Sequence, residues 1–519
     1  MHWPSLAEVW HIAQLDELLS KGCFPAELPP SFSTSSFGAA VVGAYQNLPQ
    51  TFRTPQKAKL CKYSLARANF RFRRRLSLVN PIHYFNLSDC IVGNWQTLAA
   101  RHQSGLSKSI PTRLPQKARA VSPMHDQASL PKFQAEARAA SRSILLTDVS
   151  EFYSSIYTHS IPWALHTKAV AKNNKAPALL GNRLDKLVRD SQDGQTMGIP
   201  IGPDTSFVLA EVILGAVDEE LVRQLRTLTG LRWIDGYELT FSRLSDAEEA
   251  LAMIQQVLLE YELRINPRKT RIAELPIEFE PQWLTELRSF KFRNTRRGQS
   301  YDLIRYFDSM TSYLQEFPNE HVMKYGIARL RTLPVLDDEP FQQLLCQAMV
   351  VEPGAVRESM QALYYAQNHY GLVVDSVLLA KAVNAIAEQN AAVGHDYEVS
   401  WCLWAALTWT LQISPNAARA ISLMENSVVA ILALDALASG LFAGGGLDVA
   451  HWQGRMATSE LYEEQWLLAY EANVQGWLPS VGPGDHVAVD PNFAFLKNLG
   501  VRFYTRVVNP FVPGALAYP

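Results

Sequence analysis

A chain of 519 residues, 48% hydrophobic with twelve Trp and a net charge of −2, is neither disordered nor fibrous, and it is too long for one ordinary domain. Its five cysteines (Cys23, Cys61, Cys90, Cys346, Cys402) are scattered and form no CxxC pair. This excludes a disulfide framework or zinc module and points to free thiols in a reducing, cytoplasmic setting.

Residues 1–52 combine a helical pattern, "SLAEVWHIAQLDELLSKG", with a Pro/Ser-rich connector, "PAELPPSFSTSSFG". Acidic residues among the first twenty do not fit a signal peptide.

Residues 53–140 form a basic region. From Leu28 to Ser88 there is no Asp or Glu, and residues 53–142 carry seventeen Lys and Arg against Asp89, Asp126 and Glu136, a local net charge of +14. Such asymmetry predicts a localised site for a polyanion, either phosphate chains or nucleotides.

Residues 141–295 alternate between strand and helix periods. "RSILLTD" has strand length. "GPDTSFVLAEVILGAVDEELVRQL" has helical period, with its acidic residues expected on a polar face. "RWIDGYELTF" (232–241) places Asp235-Gly236 between two strand-like runs, which predicts a tight type I′ hairpin turn. In the next helical segment, Ser245 and Glu248 fit a capping box, and "LRINPRKTRIAELP" returns as extended chain. The order strand, helix, hairpin, helix, strand is a split βαβ unit, two helices covering one face of an antiparallel sheet.

From 296 to 519 the pattern is helical, with short breaks, and predicts helices stacked in pairs as in an α-solenoid. The most apolar stretch, "SVVAILALDALASGLFA" (427–443), contains Asp435 and is shorter than the roughly 20 residues needed to span a bilayer. It reads as a buried helix, and no membrane partner is expected. "LFAGGGLDVAHW" reads as a break between helices.

In a split βαβ sheet the end of the first strand and the turn of the central hairpin lie side by side. Asp148 and Asp235 occupy those places. With the carbonyl of Val149 they form an oxygen-only donor set suited to Mg²⁺ or Mn²⁺. Two such ions about 4 Å apart serve an attacking hydroxyl and a leaving pyrophosphate together, so the arrangement points to nucleotidyl transfer.

The surrounding segments resemble reverse transcriptases. "LLTDVSEFYSSIYTHSIPWAL" (145–165), with Asp148 followed five positions later by Tyr153, resembles their first catalytic segment. "GQTMGIPIGPDTSFVLAEVIL" (194–214) resembles the next, a loop leading into a helix. "RWIDGYELTF" stands for the catalytic hairpin, "LRINPRKT" (263–270) for the following strand and its lysine, and "RRRLSLVNPIHYFNLSDCIVGNW" (73–95) for the fingers. Within that family, "FYSSIYTHSIPWAL", "GIPIGPDTS" and a helical C-terminal half are similar to the abortive-infection polymerases of bacterial phage defence.

The resemblance implies an α+β fold: reverse-transcriptase-like fingers and palm, then an all-α, HEAT-like repeat domain. It implies DNA synthesis from dNTPs, without a template and primed from a protein hydroxyl. The partners it implies are a single-stranded DNA product attached to the protein, RNA, and further copies of the chain. Asp148 and Asp235 would hold the metals with Val149, and Tyr153 would close the space beneath the sugar. Gly198 and Pro200 would shape the loop under the base, Lys269 would meet the leaving pyrophosphate, and Arg119 or Arg138 would meet the triphosphate. The chain departs from the family in having Gly236 where a second Asp is usual, with Glu238 as a distant substitute, and Met197 where a Gln is common. Two alternatives stay open: a catalytically weakened polymerase fold acting as an oligomeric nucleic-acid-binding scaffold, and a templated enzyme of the retron or intron type.

Overall fold

The computed structural model of the chain describes residues 6–66, 73–113, 117–225 and 228–506; Arg67 and Arg71 of the basic run lie outside them. Its strands are β1 (Cys61–Ala66), β2 (Arg73–Leu78), β3 (Pro111–Thr112), β4 (Ser122–Pro123), β5 (Ser143–Asp148), β6 (Thr229–Trp233), β7 (Gly236–Phe241) and β8 (Arg271–Glu274). The first four form two hairpins, and the last four form one sheet in the order β6-β7-β5-β8, antiparallel throughout.

The period-2 pattern divides that sheet into two faces. Leu145 and Thr147 of β5 and Tyr237, Leu239 and Phe241 of β7 are buried beneath the helices Asp204–Gln224 and Leu244–Glu260. The opposite face carries Ile144, Leu146 and Asp148, paired across β7 with Thr240, Glu238 and Gly236. Helix Leu130–Arg138 covers the end of this face farther from Asp148, through Arg138 and Gln134 on Glu238. The Asp148 end is left open.

Four local expectations are corrected. Asp204–Gln224 does not turn all its acids to solvent: Glu211 and Asp218 are fully buried, for the reason given below. The capping box at Ser245 does not form, because the helix already starts at Leu244 with Arg243 as its uncapped N-cap. "LRINPRKT" is not continuously extended: Ile265 bridges to Val149, a turn follows, and the strand resumes at Arg271. In the hairpin, Trp233 pairs with Gly236, so the two loop residues are Ile234 and Asp235 rather than Asp235 and Gly236.

In the C-terminal half the helices fall into two layers. Asp338–Val351, Ser376–Ala391 and Pro415–Ile421 follow one another in one layer, and Val356–Tyr370, Asp396–Trp409, Ser427–Ala438 and Trp466–Val474 in the other. The second layer packs on the N-terminal half as well. The Trp466 indole donates to Leu78 O at 3.2 Å and the Trp401 indole to Glu27 O at 3.1 Å. Helix Ser427–Ala438 is therefore apolar all round because it is covered on all sides. No helix among the described residues is long and apolar enough to cross a membrane.

This packing also revises the charge asymmetry. Part of the basic region is neutralised by acids from elsewhere in the chain: Lys59 by Glu463, Lys62 by Glu464, Arg73 by buried Glu398, Arg101 by Glu219, Arg119 by Asp204 and Arg138 by Glu238. Six of the seventeen positive charges are thus matched by acids outside the region, three of them (Arg73, Arg119 and Arg138) in buried or partly buried pairs, so the sequence charge overstates the unpaired basic surface.

Burial at these junctions leaves a pH signature. It pushes the carboxyls of Glu352, Asp396 and Glu471 up to about 7 and the imidazoles of His83 and His102 down to about 4. The raised carboxyls bind more protons folded than unfolded between roughly pH 4 and 7, so they lower stability as pH rises through that window. The histidines act oppositely below about pH 6.5. Only the carboxyls act above that, so the melting temperature should rise as pH is lowered from 8 to about 6.5 and gain little below. Calorimetry across this range checks it, and a melting temperature that climbs from pH 6.5 to 8 refutes it.

Candidate active site

The two aspartates meet where the sheet is open. Asp148 ends β5 opposite Gly236, and Val149 N donates to Asp235 O at 3.1 Å, which ties the strand end to the hairpin turn. The third element is the turn after Ile265. Asn266 N donates to Asp148 O at 2.6 Å, Arg268 N to Asn266 Oδ1 at 3.1 Å, and the Thr147 and Thr270 hydroxyls meet at 2.7 Å. This Asx-turn brings Lys269 Nζ to 3.0 Å from Asp148 Oδ2, with the lysine 63% exposed and the aspartate 18%.

Burial, then the nearby charge of Asp148, pushes Asp235 up to about 6, against the opposing charges of Lys269 and Arg74. The two carboxylates thus share a partly desolvated corner, where the charge of one makes ionisation of Asp235 costlier. Among the described residues no group of three or more His, Cys, Asp or Glu side chains is gathered as for a metal ion. Two carboxylates and the Val149 carbonyl are nonetheless an all-oxygen set that fits Mg²⁺ or Mn²⁺, since Mg²⁺ commonly takes one or two carboxylates and completes its shell with water and substrate phosphate.

The turn that presents Asp235 is strained. Ile234 has φ 53°, a left-handed conformation that a β-branched residue adopts at a cost of about 1–3 kcal/mol. A buried network holds it there. Ile234 N donates to Ser109 Oγ at 2.8 Å and Arg232 Nη1 to Ile234 O at 2.6 Å. Arg232, fully buried, also grips Glu211 through both terminal nitrogens (2.8 and 3.1 Å) and Asp218 through Nε (2.9 Å). Ser107 and Ser109 donate to Glu211, and Ser104 and Tyr237 to Asp218. Burial of Glu211 and Asp218 is thus the counterpart of one arginine in β6.

Below the site, Tyr153 lies on the short helix Phe152–Ser155. Burial, with Glu211 and Asp235 adding, pushes its hydroxyl well above the tyrosine range, so it stays a neutral ring beside the carboxylates. Ile199 N donates to Tyr153 O and Gly198 N to Ile156 O. Gly198 has φ 82°, and a Cβ there would stand 3.2 Å from Ser154 O, so glycine is required on both counts. Pro200 is buried in the same loop, while Met197 is 58% exposed.

Both fingers arginines singled out from the sequence are committed elsewhere. Arg119 is spent on Asp204 and on the carbonyls of Phe24, Gly22 and Gly202. Arg138 donates to Glu238 at 2.7 Å and to the carbonyls of Ile277 and Glu278. That pairing also removes Glu238 as a substitute carboxylate: it shares a face with Asp148, but is buried under Arg138 and Gln134. Besides Lys269, the basic group whose charge is felt at the site is Arg74 of β2. It is exposed, has no ion pair among the described residues, and acts through its charge on both Asp235 and Tyr153. The run of three arginines 73–75 held it in plain view, but only the strand alternation separates Arg73, bound to Glu398, from Arg74.

Gly236 is not needed by the turn, since its φ lies outside the left-handed region and a Cβ there meets only Trp233 O at 3.6 Å. Directly opposite Asp148, its side chain would share that residue's face. Gly236→Asp should therefore fold with stability changed by no more than about 1 kcal/mol and bind Mn²⁺ more tightly than the natural chain. Titration calorimetry with Mn²⁺ reads this directly, and weaker binding would refute it.

No protein-family model matches the chain, and no curated protein matches it. In fold it is similar to telomerase from Candida albicans in complex with a fragment of telomeric RNA (9% identity, TM-score 0.29, 77% of this chain and 66% of that one). It is also similar to apo telomerase from Candida tropicalis (10% identity, TM-score 0.32, 81% and 76%). The chain spans just under two thirds of the first of these.

Proposed function

We propose that the protein is a reverse-transcriptase-type nucleotidyltransferase that makes DNA from dNTPs at the Asp148–Asp235 end of the sheet. The observation that carries this reading is the convergence of three separate segments on one open corner: β5 bringing Asp148, a strained hairpin bringing Asp235, and the Asx-turn bringing Lys269. The Gly198 loop is hydrogen-bonded to the Tyr153 backbone, and the charges of Asp235 and Arg74 both act on Tyr153.

Each residue has a role in joining a hydroxyl to the α-phosphorus of a dNTP with release of pyrophosphate. Asp148, Asp235 and the Val149 carbonyl would hold Mg²⁺, which would supply positive charge to the attacking and leaving oxygens. Lys269, paired with Asp148, is placed to turn to the leaving pyrophosphate. Arg74 offers a guanidinium to the triphosphate. Tyr153 closes the floor under the sugar, where a 2′-hydroxyl would collide with it. The sequence likeness to abortive-infection polymerases supports the more specific form: synthesis without a template, primed from a hydroxyl of an oligomeric protein, in anti-phage defence.

Gly236 favours a second reading, a polymerase fold that binds nucleic acid without extending it. Incubating the purified chain with Mg²⁺ and labelled dNTPs alone separates the two. The expected result is label in a protein-linked product that is lost in Asp148→Ala. Incorporation only when a complementary template is added would support a templated enzyme, and none with any divalent ion would leave the binding scaffold.

A further inference from the structure

The outer strand beside the carboxylate pair carries cations that the rest of the chain does not neutralise. Between Glu262 and Glu274 there is no acid, and Arg264, Arg268, Lys269 and Arg271 all fall there. All four are exposed. Lys269 pairs with Asp148, but the three arginines have no side-chain hydrogen bond or ion pair among the described residues. The flanking acids do not serve them. Glu262 lies 3.7 Å from Lys168, and Glu274 stands opposite Ser143, on the other face of the sheet from Asp148.

The register fixes where the arginines stand. β8, at the end of the sheet order, pairs Arg271 with Leu146. On the far side of Asp148, Ile265 bridges to Val149 and Ser150 N donates to Arg264 O at 2.8 Å, which sets Arg264 opposite Ser150. Leu146, Asp148 and Ser150 alternate onto one face, and residues directly opposite each other share a face. Arg271 and Arg264 therefore flank Asp148 along the open face. Residues 267–270 loop out between them, opposite Thr147, and carry Arg268 and Lys269.

Charge on an outer strand also guards against pairing with another chain, and lysine is the usual residue for that. Here three of the four cations are arginines, whose planar fork suits phosphate oxygens. Leu146 and Ser150 are four residues apart, about 13 Å along the strand, a spread matched to successive phosphates of a chain rather than to a single phosphate group.

We propose that this edge holds the sugar-phosphate backbone of a single nucleic-acid strand, with Arg264, Arg268 and Arg271 on its phosphates as it passes the carboxylate corner. The proposal deepens the reading above by giving the strand its place, and rests on that reading only for the chemistry at the strand's end. Binding itself needs no working carboxylate pair.

The test is the anisotropy of a fluorescein-labelled oligothymidylate titrated with the full chain over a range of salt, without divalent ion or dNTP. Arg264→Gln, Arg268→Gln and Arg271→Gln together should weaken binding at least about tenfold and reduce the slope of log affinity against log salt by about 2, at about 0.7 per phosphate contact. The corresponding three Lys substitutions should restore the slope. All three positions are exposed, so both variants should melt within about 2 °C of the natural chain. An equal loss of charge at exposed positions of the C-terminal half, Lys381→Gln, Arg419→Gln and Arg502→Gln, should leave affinity and slope as they are. Asp148→Ala should still bind the strand, so a chain that binds but incorporates nothing counts against the polymerase reading alone. Natural affinity and slope in the triple Gln variant would overturn the proposal, and self-association of that variant would then make the arginines guards of the open edge. A matching fall in the C-terminal charge variant would overturn it as well.

Discussion

Asp235→Asn is expected to abolish Mg²⁺-dependent dNTP incorporation while leaving the ligand-free protein as stable as before, or more so. The two halves of this result have one cause. Asp235 is pushed up to about 6 by burial and by Asp148, so in the absence of a cation its ionised form is a burden on the fold. An amide of the same shape removes that burden and cannot replace a charged oxygen at a cation. Stabilisation of developing charge by a bound metal amounts to several kcal/mol, and each 1.4 kcal/mol is a factor of ten, so the loss should be at least about a thousandfold. A purely structural aspartate would behave in the opposite way, since its removal would lower the melting temperature and leave incorporation in proportion to folded protein. Measuring both quantities on one preparation therefore separates a catalytic role from a structural one.

The parts of the fold legible in the sequence were those written in periodicity. The apolar run of "RSILLTD", the alternation in "YELTF", the helical period of "VLAEVILGAV", and the placing of aspartates at a strand end and a hairpin sufficed for the antiparallel sheet with its two aspartates at one corner. What periodicity cannot convey is which polar groups find each other across the fold. Arg119 and Arg138 had the right chemistry for a triphosphate, but Asp204 and Glu238, about 85 and 100 residues away, had claimed them. Asp-Gly was read as a turn because glycine tolerates positive φ. The register instead places the strain on Ile234, where local propensity is overridden by tertiary hydrogen bonds. One sign of this was available. Glu211 and Asp218 stand seven residues apart, two turns along a helix, amid apolar neighbours, and a buried acid needs a buried partner. The only basic residue in the adjacent hairpin strand is Arg232.

That arginine carries the second large expectation, on stability. Arg232→Met should destabilise the protein by about 3–5 kcal/mol, because it removes one partner of a buried cluster and leaves two carboxylates unneutralised. Methionine approximates the length and bulk of the arginine stem, so packing is nearly preserved and the loss is electrostatic. Ser104, Ser107, Ser109 and Tyr237 would still donate to Glu211 and Asp218, which is too little for two buried charges. The same substitution removes the bond from Arg232 Nη1 that holds Ile234 O, so Asp235 would lose its position even in molecules that remain folded. Adding Glu211→Gln and Asp218→Asn to Arg232→Met should recover a large part of the stability, since no buried charge is then left. It should not recover divalent-ion binding, because the guanidinium that fixes the turn is still missing. Chemical denaturation and Mn²⁺ titration of the single and triple variants test both statements. Full recovery of metal binding in the triple variant would show that the network neutralises charge without positioning Asp235, and a single variant as stable as the natural chain would remove the network from the account altogether.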